Sequence, residues 1–384
     1  MANNSKRILI FTTAYKPFVG GSEIAIEEVV HRLPDHFFDI ITPKMSAALP
    51  EMECASNYCI HRVGSGWVGD KLLFPVFGFF KARKLEKSTH FNYYHAFQAS
   101  YAAGAAWLLK LFDRNTPFFL TIQEGKDLDA QNWFVKFSRK LIIKKADRIS
   151  VISEYLKKYV LGIKKKAIVK LIPNGVDVEN FSRSFSYGES SQLKDELGIL
   201  PGEKIIISVS RLVPKNGIKD LIGATAILNK KLHSQAIKLL SIGNGEQKNE
   251  LVRLTESLGV ESNVIFVDHV GHKELPRYLK IADVFVRPSL SEGMGNAFLE
   301  AMAAEVPIIG TPVGGIPDFL KDEQTGLFCK PNDPEDLAEI INMVLNDEEL
   351  RMRLKKNAWT LVAEKYNWNK IVKEYESLLY QKHE

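Results

Sequence analysis

Two glutamates, Glu292 and Glu300, stand eight positions apart, and the residues around them are typical of a phosphate-binding turn. The apolar run 282–286 predicts a buried strand that stops at Pro288, and strong helix formers predict a helix from Asn296 onward. Backbone amides at a helix start lack intrahelical partners and lie at the positive end of the helix dipole. The turn therefore predicts an anion site formed by the amides of Gly293, Met294, Gly295 and Asn296.

The two carboxylates bracket this predicted anion site. Eight helical residues rise ~12 Å, so the acids could hold opposite ends of an extended ligand whose diphosphate lies at the helix start. A nucleotide sugar has this shape, with ribose hydroxyls at one end and sugar hydroxyls at the other. Acids at this spacing occur in many helices, but their combination with the glycine turn, the buried strand and Gly314-Gly315 indicates a nucleotide-sugar site.

The segment PSxSEGxGNAFLEAMAxxVPIIGTxVGG, residues 288–315, resembles the retaining glycosyltransferases of family 4. The resemblance implies the GT-B fold, an α/β architecture of two Rossmann-like βαβ domains that face each other across a cleft. It also implies roles for the two acids. Glu300 would hold the ribose, and Glu292 would hold a hydroxyl of the donor sugar.

A second basic turn follows the predicted strand 204–208 and carries Arg211 and Lys215. Guanidinium and ammonium groups suit a diphosphate, because hydrogen bonds to charged oxygens are worth ~1.5–3 kcal/mol each. Relatives often have the pattern R-L-x-x-x-K-G here, with both cations on the leaving phosphates. In this sequence Asn216 occupies the usual lysine position, and Lys215 comes one residue earlier.

Two further turns complete the donor side that the resemblance implies. Asn244 follows the predicted strand 237–242 in a Gly-Asn-Gly-Glu loop, which does not extend into the dinucleotide-binding pattern G-x-G-x-x-G. Val270 lies beyond the predicted strand 264–267, where the family's backbone touches the nucleobase. His269 and His272 are either plain loop residues, which we favour, or contacts to the donor.

The N-terminal half supplies the acceptor side in this comparison. Gly20 and Gly21 lie between a predicted strand and helix, where a backbone can approach a ligand closely. Relatives often carry T-x-H-G-x-D after a later strand; here Gln123 replaces the histidine if Thr121 sets the register, and Glu124 if Gly125 does. No catalytic histidine is therefore transferred, and His95 is either an acceptor-side group or a structural residue of an aromatic strand.

We expect no metal and no cofactor. Asp127-Leu128-Asp129 imitates the metal-binding D-x-D of the other glycosyltransferase fold, but carboxylates that cap a helix start explain it better. Cys54, Cys59 and Cys329 lack a metal-ligand pattern, so we interpret them as free thiols of a reducing compartment. The residues before the first predicted strand leave no room for a signal peptide. Together with the free thiols, this absence predicts a cytoplasmic protein.

At 384 residues the chain should form two domains. We predict an N-terminal domain over 1–185, a Ser/Gly-containing linker over 182–192, a donor-binding domain over 193–365, and a final helix within 366–384 that packs back onto the first domain.

The net charge of +5 is unevenly distributed, because residues 1–190 contain 27 basic and 18 acidic residues. The excess is either a solvated basic face or an attraction to an anionic membrane or a lipid-diphosphate acceptor. No motif supports nucleic-acid binding. The apolar and basic stretch Lys71–Lys87 is too short to span a bilayer, so it is either an interfacial contact or a helix packed on its own domain.

Together these features predict a metal-independent, retaining transfer of a sugar from a UDP- or GDP-sugar to an acceptor hydroxyl. Arg211, Lys215 and Glu292 form the predicted catalytic group. A lipid-linked or polysaccharide acceptor of an envelope or capsule is the class the resemblance favours. The alternatives are a sugar-nucleotide epimerase on the same scaffold and a non-catalytic nucleotide-sugar-binding protein.

Overall fold

The computed structural model describes residues 5–18, 20–67, 69–125, 128, 131–231 and 237–380. The chain divides into two compact units, Met1–Asn174 with Trp368–Glu384, and Gly175–Asn367. Both are Rossmann-like α/β units, as the sequence predicted. The predicted D-x-D capping residues Asp127 and Asp129 lie outside the described residues.

The first unit alternates strands and helices along the chain. Its strands are β1 (Arg7–Phe11), β2 (Phe37–Pro43), β3 (Met52–Cys54), β4 (Tyr58–Val63), β5 (Tyr93–Phe97), β6 (Phe118–Ile122), β7 (Arg148–Val151) and β8 (Val169–Leu171). The helices between them are α1 (Gly21–Arg32), α2 (Asp70–Glu86), α3 (Tyr101–Phe112), α4 (Trp133–Lys145) and α5 (Glu154–Ile163).

Among the described residues these strands form one sheet in the order β3-β4-β2-β1-β5-β6-β7-β8. All neighbours are parallel except β3, which runs antiparallel to β4 at one edge. Strand β1 is an apolar run buried almost throughout, as a central parallel strand must be. The winding reverses between β1 and β5, so the loops after these two strands lie side by side at the carboxyl edge.

The second unit begins with two short helices, α6 (Val178–Ser182) and α7 (Tyr187–Glu196). Its strands are β9 (Lys204–Val209), β10 (Ile237–Ile242), β11 (Val264–Val267), β12 (Val284–Arg287), β13 (Ile308–Gly310) and β14 (Leu327–Phe328). Its further helices are α8 (Ile218–Lys231), α9 (Lys248–Leu258), α10 (Leu275–Lys280), α11 (Asn296–Ala303), α12 (Ile316–Phe319), α13 (Pro334–Asn346) and α14 (Glu348–Lys365).

These strands form a parallel sheet in the order β11-β10-β9-β12-β13-β14. The winding runs outward from β9 to β11 and then restarts at β12 on the other side of β9. This is the dinucleotide-fold strand order, in which ligands bind outside the carboxyl ends of the strands where the order reverses.

The predicted 182–192 linker was wrong, because most of it lies in helices. Ser186 and Glu189 form a capping box that starts α7. The buried side chain of Leu193 attaches this helix to the second unit. The preceding helix α6 packs against α10 and α11, so the second unit starts at Gly175, ahead of the predicted start at 193. Phe181 is fully buried in that contact region.

The last helix, α15 (Trp368–Tyr380), belongs to the first unit. It packs against α1, and Trp368 and Tyr375 join the core under that side of the sheet. Arg148 of β7 donates a 2.6 Å hydrogen bond to the carbonyl of Leu378 near the end of the helix.

None of the helices within the described residues is long and apolar enough to cross a membrane.

The cysteine prediction needs a correction. Cys54 and Cys59 form a disulfide across the β3–β4 hairpin, where they are directly opposed with their Cα atoms 4.1 Å apart. The antiparallel pairing brings their side chains together, which the spacing alone did not reveal. Cys329 is a free, buried thiol, and burial raises its pKa to about 12.

Candidate functional site

The predicted donor residues of the second unit gather at one edge of its sheet. Arg211 and Lys215 follow β9, Asn244 follows β10, and Val270 follows β11. Glu292 follows β12, which is the direct neighbour of β9. Because all four strands are parallel, their carboxyl ends meet at this edge, and the loops after β9 and β12 flank the point where the strand order reverses.

The turn between β12 and α11 has the geometry that the sequence predicted. The strand ends at Arg287 and the helix begins at Asn296, with Gly295 as the N-cap residue at a φ of +90°. A Cβ on Gly295 would approach the Phe298 ring to 2.8 Å, so glycine is required there by both backbone conformation and packing.

One amide of the predicted anion site is already engaged. The Gly293 amide donates a 2.9 Å hydrogen bond to Oε1 of Glu292, so this amide orients the carboxylate. Met294 and Gly295 are buried, and Asn296 is half-buried.

Glu292 is held in place from its backbone as well as its side chain. The Gly315 amide donates a 3.2 Å hydrogen bond to the Glu292 carbonyl, and a Cβ on Gly314 would lie 1.7 Å from that oxygen. Gly314 has a φ of +56°. The Gly314-Gly315 pair that follows β13 therefore packs directly against the glutamate loop.

The Glu292 carboxylate is 8% exposed and is surrounded by positive charge. Its Oε2 atom forms an ion pair with Nη2 of Arg287 and lies 3.8 Å from Nζ of Lys215. Lys215 also donates a 3.4 Å hydrogen bond to the Ser291 carbonyl. The structure thus joins two predicted catalytic residues, and adds an arginine that the sequence reasoning missed because it ends an apolar strand.

Asn216 connects the two loops that flank the strand-order reversal. Its side chain is buried, donates a 2.7 Å hydrogen bond to the Arg211 carbonyl, and accepts a 3.0 Å bond from Arg287 Nη2. The amide of Leu290 donates to the Lys215 carbonyl nearby. Where relatives carry a lysine, this chain therefore has a bridging amide, while the preceding Lys215 keeps its ammonium group near Glu292. The Arg211 side chain is exposed.

Glu300 lies on α11, 8% exposed, with its Oε1 atom 3.2 Å from Nε2 of His272. The Phe181 ring meets the His272 ring edge to face, with centroids 5.0 Å apart. The sequence favoured His272 as a loop residue over a donor contact and did not link it to Glu300. In the structure it is a side-chain partner of the predicted ribose-binding acid.

The remaining donor-side residues occupy exposed or half-exposed turns. Asn244 is exposed, its Oδ1 accepts a 2.8 Å hydrogen bond from the Gly245 amide, and its carbonyl accepts a 3.0 Å bond from the Leu212 amide. Val270 is half-buried. The loop after β10 is thereby attached to the loop that carries Arg211.

The predicted acceptor-side glycines lie at the carboxyl edge of the first unit. Gly20 is the N-cap residue of α1, and Gly21 is the first residue of that helix. Gln98, in the loop after β5, accepts a 3.2 Å hydrogen bond from Thr13 and donates a 3.1 Å bond to Ser22. These bonds join the two loops that flank the reversal of strand order in this unit.

Gln123 and Glu124 follow β6 at the same edge. Gln123 donates a 3.1 Å hydrogen bond to Asn174, and Oε1 of Glu124 accepts a 2.5 Å bond from the Ala99 amide. Burial raises the pKa of the Glu124 carboxyl, while the nearby Arg139 opposes that rise.

His95 is buried inside the sheet. It is 4% exposed, its Nε2 atom lies 2.7 Å from Thr121 Oγ1, and its ring packs against Phe97 at 4.3 Å. Burial lowers its pKa to about 3, so the imidazole is neutral at physiological pH. This placement corresponds to the structural alternative of the sequence analysis.

Two family descriptions match the chain, one in each half. "Glycosyltransferase Family 4" matches residues 19–180, and "Glycosyl transferases group 1" matches residues 189–360. The second match contains Arg211, Lys215, Glu292 and Glu300.

Two similar relatives match a little over half of the chain. An uncharacterized glycosyltransferase of Methanocaldococcus jannaschii is 36% identical over 206 residues, 54% of this chain and 52% of that protein. N-acetyl-alpha-D-glucosaminyl L-malate synthase of Bacillus anthracis is 31% identical over 218 residues, 57% of this chain and 55% of that protein. The chain thus spans about half the length of these relatives.

Solved structures match it nearly end to end. Sucrose-phosphate synthase from Thermosynechococcus elongatus has a TM-score of 0.84 at 22% identity, over 97% of both chains. Anabaena HepE in complex with UDP-glucose has a TM-score of 0.80 at 19% identity, over 97% of this chain and 99% of that one. At 22% and 19% identity, this likeness shows a shared fold and nothing beyond it.

Proposed function

This chain belongs to glycosyltransferase family 4 and has the GT-B fold, and from that premise we propose that it transfers a sugar from a nucleotide-sugar donor to an acceptor hydroxyl with retention of anomeric configuration. The observation that supports this most directly is the pair of nearly buried carboxylates, Glu292 and Glu300. Both lie on the segment that follows β12, where the strand order reverses.

The two acids take different parts in the proposed complex. Glu300 accepts hydrogen bonds from the two ribose hydroxyls, and His272 keeps its carboxylate in position. Glu292 orients the donor sugar by accepting from a sugar hydroxyl. Its contacts with Arg287 and Lys215 hold the carboxylate in one place, which suits a positioning role.

The cations act on the leaving group. As the bond between the anomeric carbon and the phosphate oxygen breaks, negative charge develops on the diphosphate, and Arg211 and Lys215 stabilise it. The acceptor oxygen bonds to the anomeric carbon on the face from which the phosphate departs. The acceptor's proton passes to the departing phosphate oxygen. These side chains supply positive charge to the diphosphate, and the proposed reaction needs no metal and no cofactor.

The proposed donor is a UDP- or GDP-sugar, and the HepE complex with UDP-glucose supports the first of these. The acceptor is a hydroxyl of a lipid-linked or polysaccharide substrate in envelope or capsule synthesis, at the cytoplasmic side of a membrane. On the first unit, Gly20, Gly21, Gln123 and Glu124 would face this acceptor.

A panel of UDP- and GDP-sugars tests this function, with nucleotide release measured with and without EDTA and with lipid-linked and glycan acceptors. We expect one donor to release its nucleotide at an EDTA-insensitive rate and to give a product with the donor's anomeric configuration by NMR. An epimerised sugar nucleotide formed without acceptor would identify an epimerase instead. Tight nucleotide binding without release from any donor would identify a binding protein, and an inverted product would refute retention.

A further inference from the structure

The solvent side of α2 is apolar. Leu72, Val76 and Phe80 are exposed along one side of this helix, with Phe80 at 64%, and Leu73 and Phe77 are exposed beside them. The opposite side, with Phe74, Gly78 and Ala82, is buried against the unit. A surface helix normally has polar and charged residues on its solvent side. The exposed apolar side of α2 is therefore available for a partner.

Helix α4 repeats this pattern with aromatic residues. Trp133, Phe134 and Phe137 are exposed in its first two turns, with Trp133 at 76%, whereas Ile142 and Ile143 are buried. At helical spacing, Lys140 and Lys144 follow Trp133 and Phe137 on the exposed side. The helix contains five basic residues and no acidic one.

The two helices are neighbours of α3 in one layer. Right-handed crossovers from β4 to β5, β5 to β6 and β6 to β7 place α2, α3 and α4 on the same side of the sheet. A Cβ on Gly78 would lie 3.0 Å from the Ala105 side chain, so α2 and α3 pack closely. At the end of α3, Phe112 is exposed, and its ring lies 5.2 Å from that of Phe79 on α2.

These residues define what we call the aromatic–basic face of the first unit. It consists of the exposed apolar side chains of α2 and α4, Phe112, and the basic side chains that accompany them: Leu72, Leu73, Val76, Phe77, Phe80, Phe112, Trp133, Phe134, Phe137, Leu141, Arg83, Lys84, Lys87, Lys140 and Lys144.

We propose that this face docks on an anionic lipid bilayer, with the aromatic side chains at the headgroup level and the lysines on acidic lipid headgroups. Tryptophan and phenylalanine next to lysine, on helices too short and too charged to span, are the combination that binds in the membrane interface. Each basic side chain near such a surface adds electrostatic attraction, and the first 190 residues have nine more basic than acidic residues.

A lipid surface explains the face better than a protein partner does. Cores of protein interfaces are depleted in lysine. Here the lysines lie on the same helix sides as the aromatic residues and extend over two helices of one layer. The proposal does not depend on the transferase function, because bilayer binding is measured without donor or acceptor.

The test is sedimentation of the full chain with vesicles of phosphatidylcholine alone or with 30% (roughly one lipid in three) phosphatidylglycerol, at low and high salt. We expect binding to the anionic vesicles that weakens with salt. Phe80→Ser with Trp133→Ser and Phe137→Ser should reduce partitioning at least ~10-fold, and Lys140→Glu with Lys144→Glu should do the same for anionic vesicles.

The matched control carries Met352→Ser, Arg353→Glu and Lys356→Glu on α14, where an exposed apolar residue also neighbours basic ones. It should bind vesicles as the wild type does, and circular dichroism should show all variants folded. Failure of the wild-type chain to bind anionic vesicles at low salt would overturn the proposal. So would equal loss in the α14 control, or self-association by light scattering that the aromatic variant abolishes while vesicle binding is absent.

Discussion

Nε2 of His272 lies 3.2 Å from Oε1 of Glu300, so a histidine from the loop after β11 contacts the acid of α11. Phe181 covers the imidazole from α6, and Glu300 is almost buried. The acid is therefore oriented by its surroundings before any ligand arrives. This preorganisation is what a carboxylate needs if it is to select two adjacent hydroxyls.

His272→Ala should weaken binding of the free nucleotide. The substitution removes one hydrogen bond to the Glu300 carboxylate, which binds the ribose in the proposed complex. A loss of this size lowers nucleotide affinity roughly 3–10-fold. Titration calorimetry with UDP and GDP measures this, with His269→Ala on the same loop as the control. An affinity of His272→Ala equal to that of the wild type would exclude the positioning role.

Arg287 and Glu292 should be strongly coupled in stability. Both are nearly buried, and removing one partner leaves the other charge with poorer compensation, which costs about 3 kcal/mol or more. In a double-mutant cycle by urea unfolding, Arg287→Met should destabilise the wild type more than it destabilises Glu292→Gln. Equal costs in both backgrounds would show that the pair contributes no specific interaction.

Gly314→Ala should disturb the Glu292 loop beyond its backbone strain. A Cβ at this position would meet the Glu292 carbonyl at 1.7 Å, at a φ of +56°. Gly259 provides a matched control, because it has a φ of +67° and open space around its Cβ position. Gly259→Ala should cost about 1 kcal/mol and leave turnover unchanged.

By contrast, Gly314→Ala should lower both the melting temperature and the rate of donor turnover, measured on the same samples. If the two alanine variants behave alike in both assays, the close packing of Gly314 against the glutamate loop has no functional consequence.

Acid should destabilise the first unit through His95. Its pKa is lowered from 6.5 to about 3 in the folded chain, so below pH 6.5 the unfolded state binds a proton that the folded state does not. The contribution of neutral His95 to the free energy of unfolding is fully present above pH 6.5. As the pH falls below that value, the contribution decreases by up to about 1.4 kcal/mol per pH unit.

His95→Gln removes this titration and keeps a hydrogen-bonding group for Thr121. Its thermal unfolding should depend less on pH between 6.5 and 4.5 than that of the wild type, with exposed His90→Gln as the control. An unchanged pH dependence in His95→Gln would show that this histidine does not carry the effect.

The sequence was most informative where local rules and the fold agree. The β12 strand, the glycine turn and the start of α11 at Asn296 follow from apolar patterning and helix propensity, and the structure has them there. The family and the fold followed from the same stretch. The side-chain neighbours of Glu292 did not follow from it. Lys215 comes from the loop after β9, and only the strand order places that loop beside the loop of Glu292. Arg287 is close in sequence, but it reads as the end of an apolar strand.

Three further features were not predicted correctly, each for its own reason. The Ser186–Glu189 capping box can be read from the sequence, but the polar composition around it suggested a linker. The Cys54–Cys59 disulfide depends on a hairpin register. The contact between His272 and Glu300 joins the loop after β11 to helix α11, 28 residues apart in the chain, and only the packing within the unit reveals it.

The central claim is that the nucleotide's ribose binds at Glu300, and titration of UDP and GDP into the wild type and Glu300→Gln tests it most directly. Glu305→Gln, an exposed acid just beyond the same helix, is the control. We expect one of the two nucleotides to bind the wild type and the control equally, and to bind Glu300→Gln at least ~10-fold more weakly. Equal affinity for the wild type and Glu300→Gln would contradict the account.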